Sequence, residues 1–88
     1  MKEHVLIVDD DSQVTSFLER FFVKNGYRAT TAATSVAMFE ALGQDSFDVV
    51  VLDLILPDED GLDAARRLQT TRDVPIIMLS ARDELSDR

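Results

Sequence analysis

The chain has 88 residues, room for one small domain, and a formal net charge of −8 from 17 acidic and 9 basic residues. That charge argues against direct contact with nucleic acid phosphates, and the lack of cysteine excludes disulfides, thiolate metal sites and cysteine nucleophiles. No apolar run approaches the roughly 20 residues of a membrane helix, and no signal-peptide pattern precedes the first strand. We therefore expect a cytoplasmic protein that binds neither nucleic acid nor membrane.

The first half of the chain alternates apolar runs with a helical pattern. Residues 5–8 predict a strand that is buried on both faces. Asp11 or Ser12 is placed to cap the helix that follows, and Gly26 suits the left-handed position that ends it. The inward stripe of this helix is predicted to comprise Val14, Phe17, Leu18, Phe21 and Phe22. Residues 27–32 then predict a weaker strand at a sheet edge.

The middle of the chain contains a short helix, the clearest strand and a loop. Thr34 or Ser35 caps the helix, and Gly43 is expected to end it. Its inward side chains are predicted to be Val36, Phe39 and Leu42. Residues 47–52 predict a buried strand, and residues 54–61 contain turn signals.

The last predicted elements are a helix and a strand. The helix spans residues 62–71 with Leu62, Ala65 and Leu68 facing inward, and the strand spans residues 74–79. The order β-α-β-α-β-α-β predicts right-handed crossovers and a doubly wound parallel α/β sheet with helices on both faces.

Three predicted strands each end in polar side chains. Asp9 and Asp10 follow the first strand, Asp53 follows the third, and Ser80 follows the fourth. Ligands bind at this edge of an open parallel sheet. Converging carboxylates repel one another, and Mg²⁺ would relieve the repulsion while leaving positions for phosphate oxygens. The pattern predicts a site where Asp53 attacks a phosphoryl group and Ser80 donates a hydrogen bond to its oxygens.

Several polar residues at or near the strand ends also have a structural interpretation, which is stronger for some than for others. Asp11 is expected to be a helix cap, whereas for Asp10 alone a cap and a functional role are evenly balanced. Ser80 alone is weak evidence, because a serine often ends a strand. His4, which opens the first strand, is interpreted as structural.

Two rival acidic motifs are rejected. A calcium loop aligned on Gly61 would place Leu56 and Arg67 where oxygen ligands are required. A metal-dependent phosphatase with a nucleophilic aspartate is disfavoured because Ile55 stands where its second aspartate is needed.

These residues together resemble the receiver domain of bacterial two-component response regulators. Three segments carry the resemblance, residues 8–11, residues 51–58 with Gly61, and residues 75–82. Residues 79–82 with Asp87 and Arg88 are most similar to the subfamily whose members usually carry a winged-helix DNA-binding domain. The resemblance implies a flavodoxin-like doubly wound sheet and a domain over residues 4–88.

The resemblance also implies roles for individual residues. Asp53 matches the phosphoacceptor, which takes its phosphoryl group from a sensor histidine kinase or from a small donor such as acetyl phosphate. Asp9 and Asp10 match the acidic pair that holds Mg²⁺ together with Asp53 and the backbone carbonyl of Ile55. Ser80 matches the switch hydroxyl that turns toward the phosphoryl group.

Two further matches and one departure complete the comparison with the family. Pro57 and Gly61 match the residues that shape the loop beside the site. Family members continue with a fourth helix, a fifth strand carrying a lysine at its end, and a fifth helix. We therefore expect a truncated receiver domain without the catalytic lysine, since Lys2 and Lys24 lie elsewhere.

Two functions are compatible with these expectations. The first is a phosphoacceptor domain that controls transcriptional output and catalyses at most its own phosphorylation and dephosphorylation. The alternative is a receiver fragment that is not phosphorylated and acts as an oligomerising or interaction module. The edge of the fourth strand, with no predicted neighbour, favours self-association.

Overall fold

The computed structural model describes residues 2–79, in which four strands alternate with three helices. The elements are β1 (His4–Val8), α1 (Ser12–Lys24), β2 (Arg28–Ala32), α2 (Ser35–Gln44), β3 (Val49–Asp53), α3 (Gly61–Thr71) and β4 (Ile76–Leu79). This is the predicted order, with bounds that differ from the prediction by one or two residues. Ser80 and residues 81–88, on which part of the predicted site falls, lie outside the described residues.

The four strands form one parallel sheet in the order β2-β1-β3-β4. Val8, at the end of β1, pairs with Ala32 of β2 on one side and with Leu52 of β3 on the other. The carboxyl ends of β1 and β3 are therefore neighbours, and β2 is an outer strand, both as predicted. The arrangement is the doubly wound α/β fold inferred from the sequence.

Both faces of the sheet are covered, but unequally. Leu6 and Val8 of β1 join the larger core cluster, to which α2 and α3 contribute. Val5 and Ile7 alternate with them and join a smaller cluster against α1. All four side chains are at most 1% exposed, which explains why residues 5–8 form a continuous apolar run rather than an alternating one.

The predicted helix ends are correct except at α2. Asp11 accepts the N–H of Gln13 at 2.9 Å to start α1, and Gly26 follows that helix with φ +94°. The prediction that Gly43 ends α2 is wrong, because the helix continues to Gln44 and the N–H of Asp45 still donates to a carbonyl of its last turn. Gly43 is thus an interior helix residue.

The predicted inward stripe of α1 is partly wrong. Leu18 and Phe22 pack against the smaller core cluster, as expected. Phe17 and Phe21 are 61% and 50% exposed instead, and the one buried residue of the helix is Thr15. An apolar spacing of three and four residues fixes the width of a helix face, but the rotation of the helix on the sheet depends on what it packs against.

The buried stripes of α2 and α3 also differ from the prediction. Val36 and Leu62, predicted to face inward, are 60% and 47% exposed. Met38 and Ala64 are fully buried in their place. Small or flexible side chains therefore sit against the sheet where the sequence pattern favoured branched ones.

His4 confirms its structural interpretation. Its buried ring lies between Thr30 Oγ1, 2.7 Å from Nε2, and the carbonyl of Ser46, 3.2 Å from Nδ1. A carbonyl can only accept, so Nδ1 donates to it and Nε2 is free to accept from the threonine hydroxyl. These contacts join the start of β1 to the middle of β2 and to the segment that precedes β3. Among residues 2–79 no helix has the length and apolar character needed to cross a membrane.

Candidate functional site

Three carboxylates meet at the carboxyl edge of the sheet. Asp9, Asp10 and Asp53 each present an oxygen, and these oxygens lie within 4.8 Å of one another. Asp9 and Asp53 are each 6% exposed, whereas Asp10 is open to solvent. The strand register produces this convergence, because Val8 and Leu52 are paired and the aspartates follow them directly. The structure thus brings together the three side chains that the sequence pattern predicted to meet.

Asp9 is held by one local contact and by one contact with β2. Its Oδ1 accepts the N–H of Asp11 at 2.9 Å, and its own N–H donates to the carbonyl of Ala32 at 3.0 Å. Burial raises the pKa of Asp9; the Asp11 N–H opposes this, and the nearby charges of Asp53 and Asp10 add to it. Ionised Asp9 therefore destabilises the site unless positive charge is supplied.

Asp53 also has a carboxylate oxygen whose burial is not compensated. Its Oδ2 is buried and has no hydrogen-bond partner among the described residues. A buried carboxylate oxygen without a donor is costly, and native structures rarely leave one without a functional reason. Hard divalent cations such as Mg²⁺ prefer oxygen ligands and keep several bound waters. The clustered carboxylate oxygens, one of which has no hydrogen-bond donor among the described residues, therefore fit such a cation.

The β3–α3 loop, residues 54–60, borders Asp53 and is closed tightly at its base. The N–H of Gly61 donates to the carbonyl of Leu54 at 2.8 Å, and Ile55 forms an antiparallel bridge with Asp60. A Cβ added to Gly61 would overlap the carbonyl oxygen of Asp53 and lie 2.6 Å from Cα of Leu54. Only glycine fits here, which gives the predicted loop-shaping role a physical basis.

Ile55 and Pro57 are less constrained by what the structure describes. Ile55 is 52% exposed in the loop next to Asp53, and a ligand role for its carbonyl stays a prediction. Pro57 is exposed and no contact in the described residues assigns it a role. Ser80 lies beyond β4, outside the described residues, and its predicted hydrogen bond also stays a prediction.

The sequence pattern did not reveal the role of Asp58. Its carboxylate accepts the backbone N–H of Ser35 at 3.0 Å and that of Val36 at 3.1 Å. The Ser35 N–H contributes most to lowering the pKa of Asp58. The partners are more than 20 residues away in sequence, so no local signal could have indicated them.

Two cavities lie near these elements. One of about 400 Å³ adjoins Asp9 and Asp10 and is also lined by Ser12, Thr15, Thr31 and three alanines. A larger one, about 790 Å³, lies between α2 and α3, away from the carboxylates. The cavity beside the carboxylates therefore opens toward β2 and keeps that side of the site accessible.

The fold and the carboxylate edge define a receiver domain of the two-component type. Residues 5–88 match the family model described as the response regulator receiver domain, and the chain belongs to that family. The resemblance inferred from the sequence is thereby confirmed, and the chain is a signalling domain.

Individual relatives support this assignment. The chain is 38% identical over 85 residues to protein PetR of Rhodobacter capsulatus, covering 97% of this chain and 36% of PetR. It is 40% identical over 89 residues to response regulator MprA of Mycobacterium ulcerans, covering 100% of this chain and 38% of MprA. A solved CheY-like receiver domain from Methylobacillus flagellatus gives a TM-score of 0.87 over 96% of this chain and 74% of its own, at 21% identity, which shows the fold alone. The chain spans little more than a third of the length of the two curated relatives.

Proposed function

We propose that this domain accepts a phosphoryl group on Asp53 from a sensor histidine kinase in the cytoplasm, in a reaction that depends on Mg²⁺. One observation carries the proposal. Oδ2 of Asp53 is buried without a hydrogen-bond partner among residues 2–79, and one oxygen of the Asp53 carboxylate lies within 4.8 Å of oxygens from Asp9 and Asp10. An unpartnered oxygen keeps its lone pairs available, which a nucleophile requires.

Asp9, Asp10, Asp53 and the backbone carbonyl of Ile55 would hold the ion. Bound there, Mg²⁺ would supply positive charge for phosphate oxygens. A carboxylate oxygen of Asp53 forms the bond to phosphorus as the phosphorus–nitrogen bond of the phosphohistidine breaks and the imidazole leaves. Asp9, tied to the N–H of Asp11, keeps the acidic pair oriented during this step.

The remaining predicted residues complete the proposal. Ser80 donates to an oxygen of the transferred group, and Gly61 with Pro57 keeps the β3–α3 loop in shape. The chain has two lysines, Lys2 and Lys24, and Lys24 ends α1 at the edge of the sheet opposite the carboxylates. Neither serves the site in this proposal, so within these residues the ion is its main source of positive charge.

The output of the whole protein is proposed to be control of transcription. Residues 79–82 match the subfamily that usually carries a winged-helix DNA-binding domain. The two curated relatives are more than twice as long as this chain, which leaves room for such a domain in proteins of this kind. The net charge of −8 assigns DNA contact to that domain rather than to this one.

The test is the intact mass of the chain after incubation with Mg²⁺ and acetyl phosphate. We expect a gain of one phosphoryl group that disappears in Asp53→Asn. The matched control is Asp63→Asn, which alters an exposed carboxylate paired with Arg66 on the surface of α3. No gain in the unaltered protein, or an equal gain in Asp53→Asn, would contradict the proposal.

A second candidate function is self-association through the edge of β4. Among the described strands β4 pairs with β3 alone, and Ile77 of β4 is 54% exposed. A strand edge with an exposed apolar side chain favours pairing with another copy. Light scattering across a concentration series should show association that Ile77→Lys weakens. A monomer at every concentration would contradict it, whereas association without phosphorylation would favour this function over the first.

A further inference from the structure

We propose that Asp58 is a positioning residue, which holds the β3–α3 loop in the shape that the phosphoacceptor site requires by capping α2. This inference rests on the proposed function, because the geometry it maintains is that of Asp53 and the Ile55 carbonyl. It assigns a role in the site to a side chain that contacts neither the phosphoryl group nor the ion.

The first step is the contact between Asp58 and the start of α2. Its two carboxylate oxygens accept the N–H groups of Ser35 and Val36, at 3.0 and 3.1 Å. These N–H groups belong to the first turn and have no partner inside the helix. The positive end of the helix dipole favours a carboxylate at this position. The lowered pKa of Asp58 is the electrostatic counterpart of these bonds.

The helix does not need Asp58 for its own cap. Thr34 already accepts the N–H of Ala37 at 3.0 Å, as an ordinary local cap does. Asp58 therefore provides a second cap, supplied by the β3–α3 loop. The main effect of this second cap is to hold the loop against α2, because α2 already has its own cap.

A second contact strengthens the connection. The hydroxyl of Ser35, which is 2% exposed, donates to Oε1 of Glu59 at 2.6 Å. Its single proton is used there, so the 3.1 Å approach of the same hydroxyl to Asp58 is not an additional donated bond. Glu59 also pairs with Arg67 at 3.0 Å, and the guanidinium lies 4.6 Å from the ring centre of Phe39. The loop, α2 and α3 are thereby linked through one network.

The other anchors of the β3–α3 loop show which part of the loop depends on Asp58. The loop base is closed by the Gly61–Leu54 bond, and the side chain of Leu56 is buried in the core. Ile55 lies between these two anchors, with its side chain largely exposed. Losing the Asp58 bonds should therefore loosen residues 57–60 without unfolding the domain, and the bridge between Asp60 and Ile55 would transmit this loosening to Ile55. The fraction of molecules with a preformed site would fall.

Loosening of this kind has a distinctive signature. When only a fraction of molecules is competent to bind, the apparent dissociation constant rises by the inverse of that fraction. Ligand at saturation restores the competent state. Loss of Asp58 should then weaken Mg²⁺ binding while leaving the phosphorylation rate at saturating Mg²⁺ nearly unchanged. A residue that only stabilises the fold would lower the unfolding temperature without moving the Mg²⁺ affinity.

The experiment compares Asp58→Ala with Asp63→Ala in the full 88-residue chain. Asp63 is an exposed carboxylate on α3 that pairs only with Arg66 and has no contact with α2 among the described residues. Mg²⁺ binding is measured by chemical-shift titration of the metal-free protein, and hydrogen exchange is followed at the amides of Ser35 and Val36. Asp58→Asn, which keeps one acceptor oxygen, serves as a milder variant if Asp58→Ala does not fold.

We expect about fivefold weaker Mg²⁺ binding in Asp58→Ala, the size of a typical N-cap contribution, and faster exchange at both amides. Asp58→Asn should bind Mg²⁺ with an affinity between those of Asp58→Ala and the unaltered protein. Asp63→Ala should match the unaltered protein in both measurements. Unchanged Mg²⁺ affinity in a folded Asp58 variant overturns the positioning role and leaves the proposed function intact. An unaltered protein that binds no Mg²⁺ overturns both.

Discussion

The two halves of the acidic site are held in place by different means. The segment after β1 is organised locally, since Asp9 accepts the N–H of Asp11 and Asp11 caps its own helix. The loop after β3 is organised at a distance, since Asp58 and Glu59 bind Ser35 on another helix. Apart from the N–H of Asp9, which donates to the carbonyl of Ala32 in β2, the first half can form as soon as α1 begins. The second depends on α2 already being in position, so we expect it to be the more easily disturbed half.

The two halves also differ in electrostatics. Burial and neighbouring carboxylates raise the pKa of Asp9, so its charge is disfavoured in the folded protein. Hydrogen bonds from the start of α2 lower the pKa of Asp58, so its charge is favoured. Asp9 in the acidic cluster and Asp58 at the start of α2 thus differ in the sign of their pKa shift. The following experiments test this division from the largest expected effect to the smallest.

The largest effect is expected at Gly61, where the loop after β3 packs against the end of that strand. A Cβ there would press on backbone atoms of Asp53 and Leu54, which cannot move without displacing β3. Gly61→Ala should lower the free energy of unfolding by roughly 2–4 kcal/mol, a value typical of severe steric conflict in a packed region, and should abolish phosphorylation. Urea denaturation and the intact-mass assay measure the two losses.

Gly43 is the matched control for this substitution. It lies inside α2 with φ in the ordinary range, and nothing is within 4 Å of an added Cβ. Gly43→Ala should stabilise the protein by about 0.5–1 kcal/mol, because alanine is the better helix residue. Similar behaviour of the two variants would mean that the loop does not need the close approach at Gly61.

Removing or adding Mg²⁺ tests the repulsion among the carboxylates of Asp9, Asp10 and Asp53. An ion that binds only the folded chain raises the free energy of unfolding by about 2.7 kcal/mol when it is present at a hundred times its dissociation constant. For a domain of this size, each kcal/mol raises the melting temperature by about 4–8 °C. The shift should vanish on chelation and in Asp53→Asn. A melting temperature that is the same with Mg²⁺ and with chelator would show that the carboxylates hold no ion.

The difference between local and distant contacts also explains what the sequence could predict. The alternation of strands and helices and the caps at Asp11 and Thr34 follow from patterns a few residues long and from the rules of parallel sheets. The strand order, on which the convergence of Asp9 with Asp53 depends, was implied by the resemblance to the family. The rotation of α1 that exposes Phe17 depends on packing that no local pattern encodes. The bond from Asp58 to Ser35 likewise requires the folded sheet.

A smaller effect is expected from neutralising Asp9. Its pKa is raised in the folded state, so its ionisation costs stability once the pH exceeds the unfolded value of about 3.9. Asp9→Asn keeps an oxygen that can accept the N–H of Asp11. In the absence of Mg²⁺ it should stabilise the fold at pH 7 by on the order of 1 kcal/mol, the scale of an uncompensated buried polar group.

The gain from Asp9→Asn should disappear below about pH 4, where the carboxyl group is protonated in both states. Mg²⁺ should reverse the ranking, since the unaltered protein binds the ion and the variant does not bind it well. Urea denaturation at pH 7 and pH 3.5, with and without Mg²⁺, gives the four values. If Asp9→Asn is less stable than the unaltered protein in metal-free buffer at pH 7, the ionised carboxylate of Asp9 does not destabilise the fold.

The smallest effect is the acid sensitivity of Asp58, and its sign is opposite. A lowered pKa means that ionised Asp58 stabilises the fold at every pH above the unfolded value of about 3.9, and that this stabilisation is lost as the pH falls through the folded value below it. Asp58→Asn should therefore be less stable than the unaltered protein at pH 7, and the two should converge in acid. Amide exchange at Ser35 and Val36 should accelerate over the same interval in the unaltered protein only. Because Asp58 is exposed, salt should reduce the difference in stability. A difference that stays constant down to the lowest pH at which both proteins are folded would locate the stabilisation in packing rather than in charge.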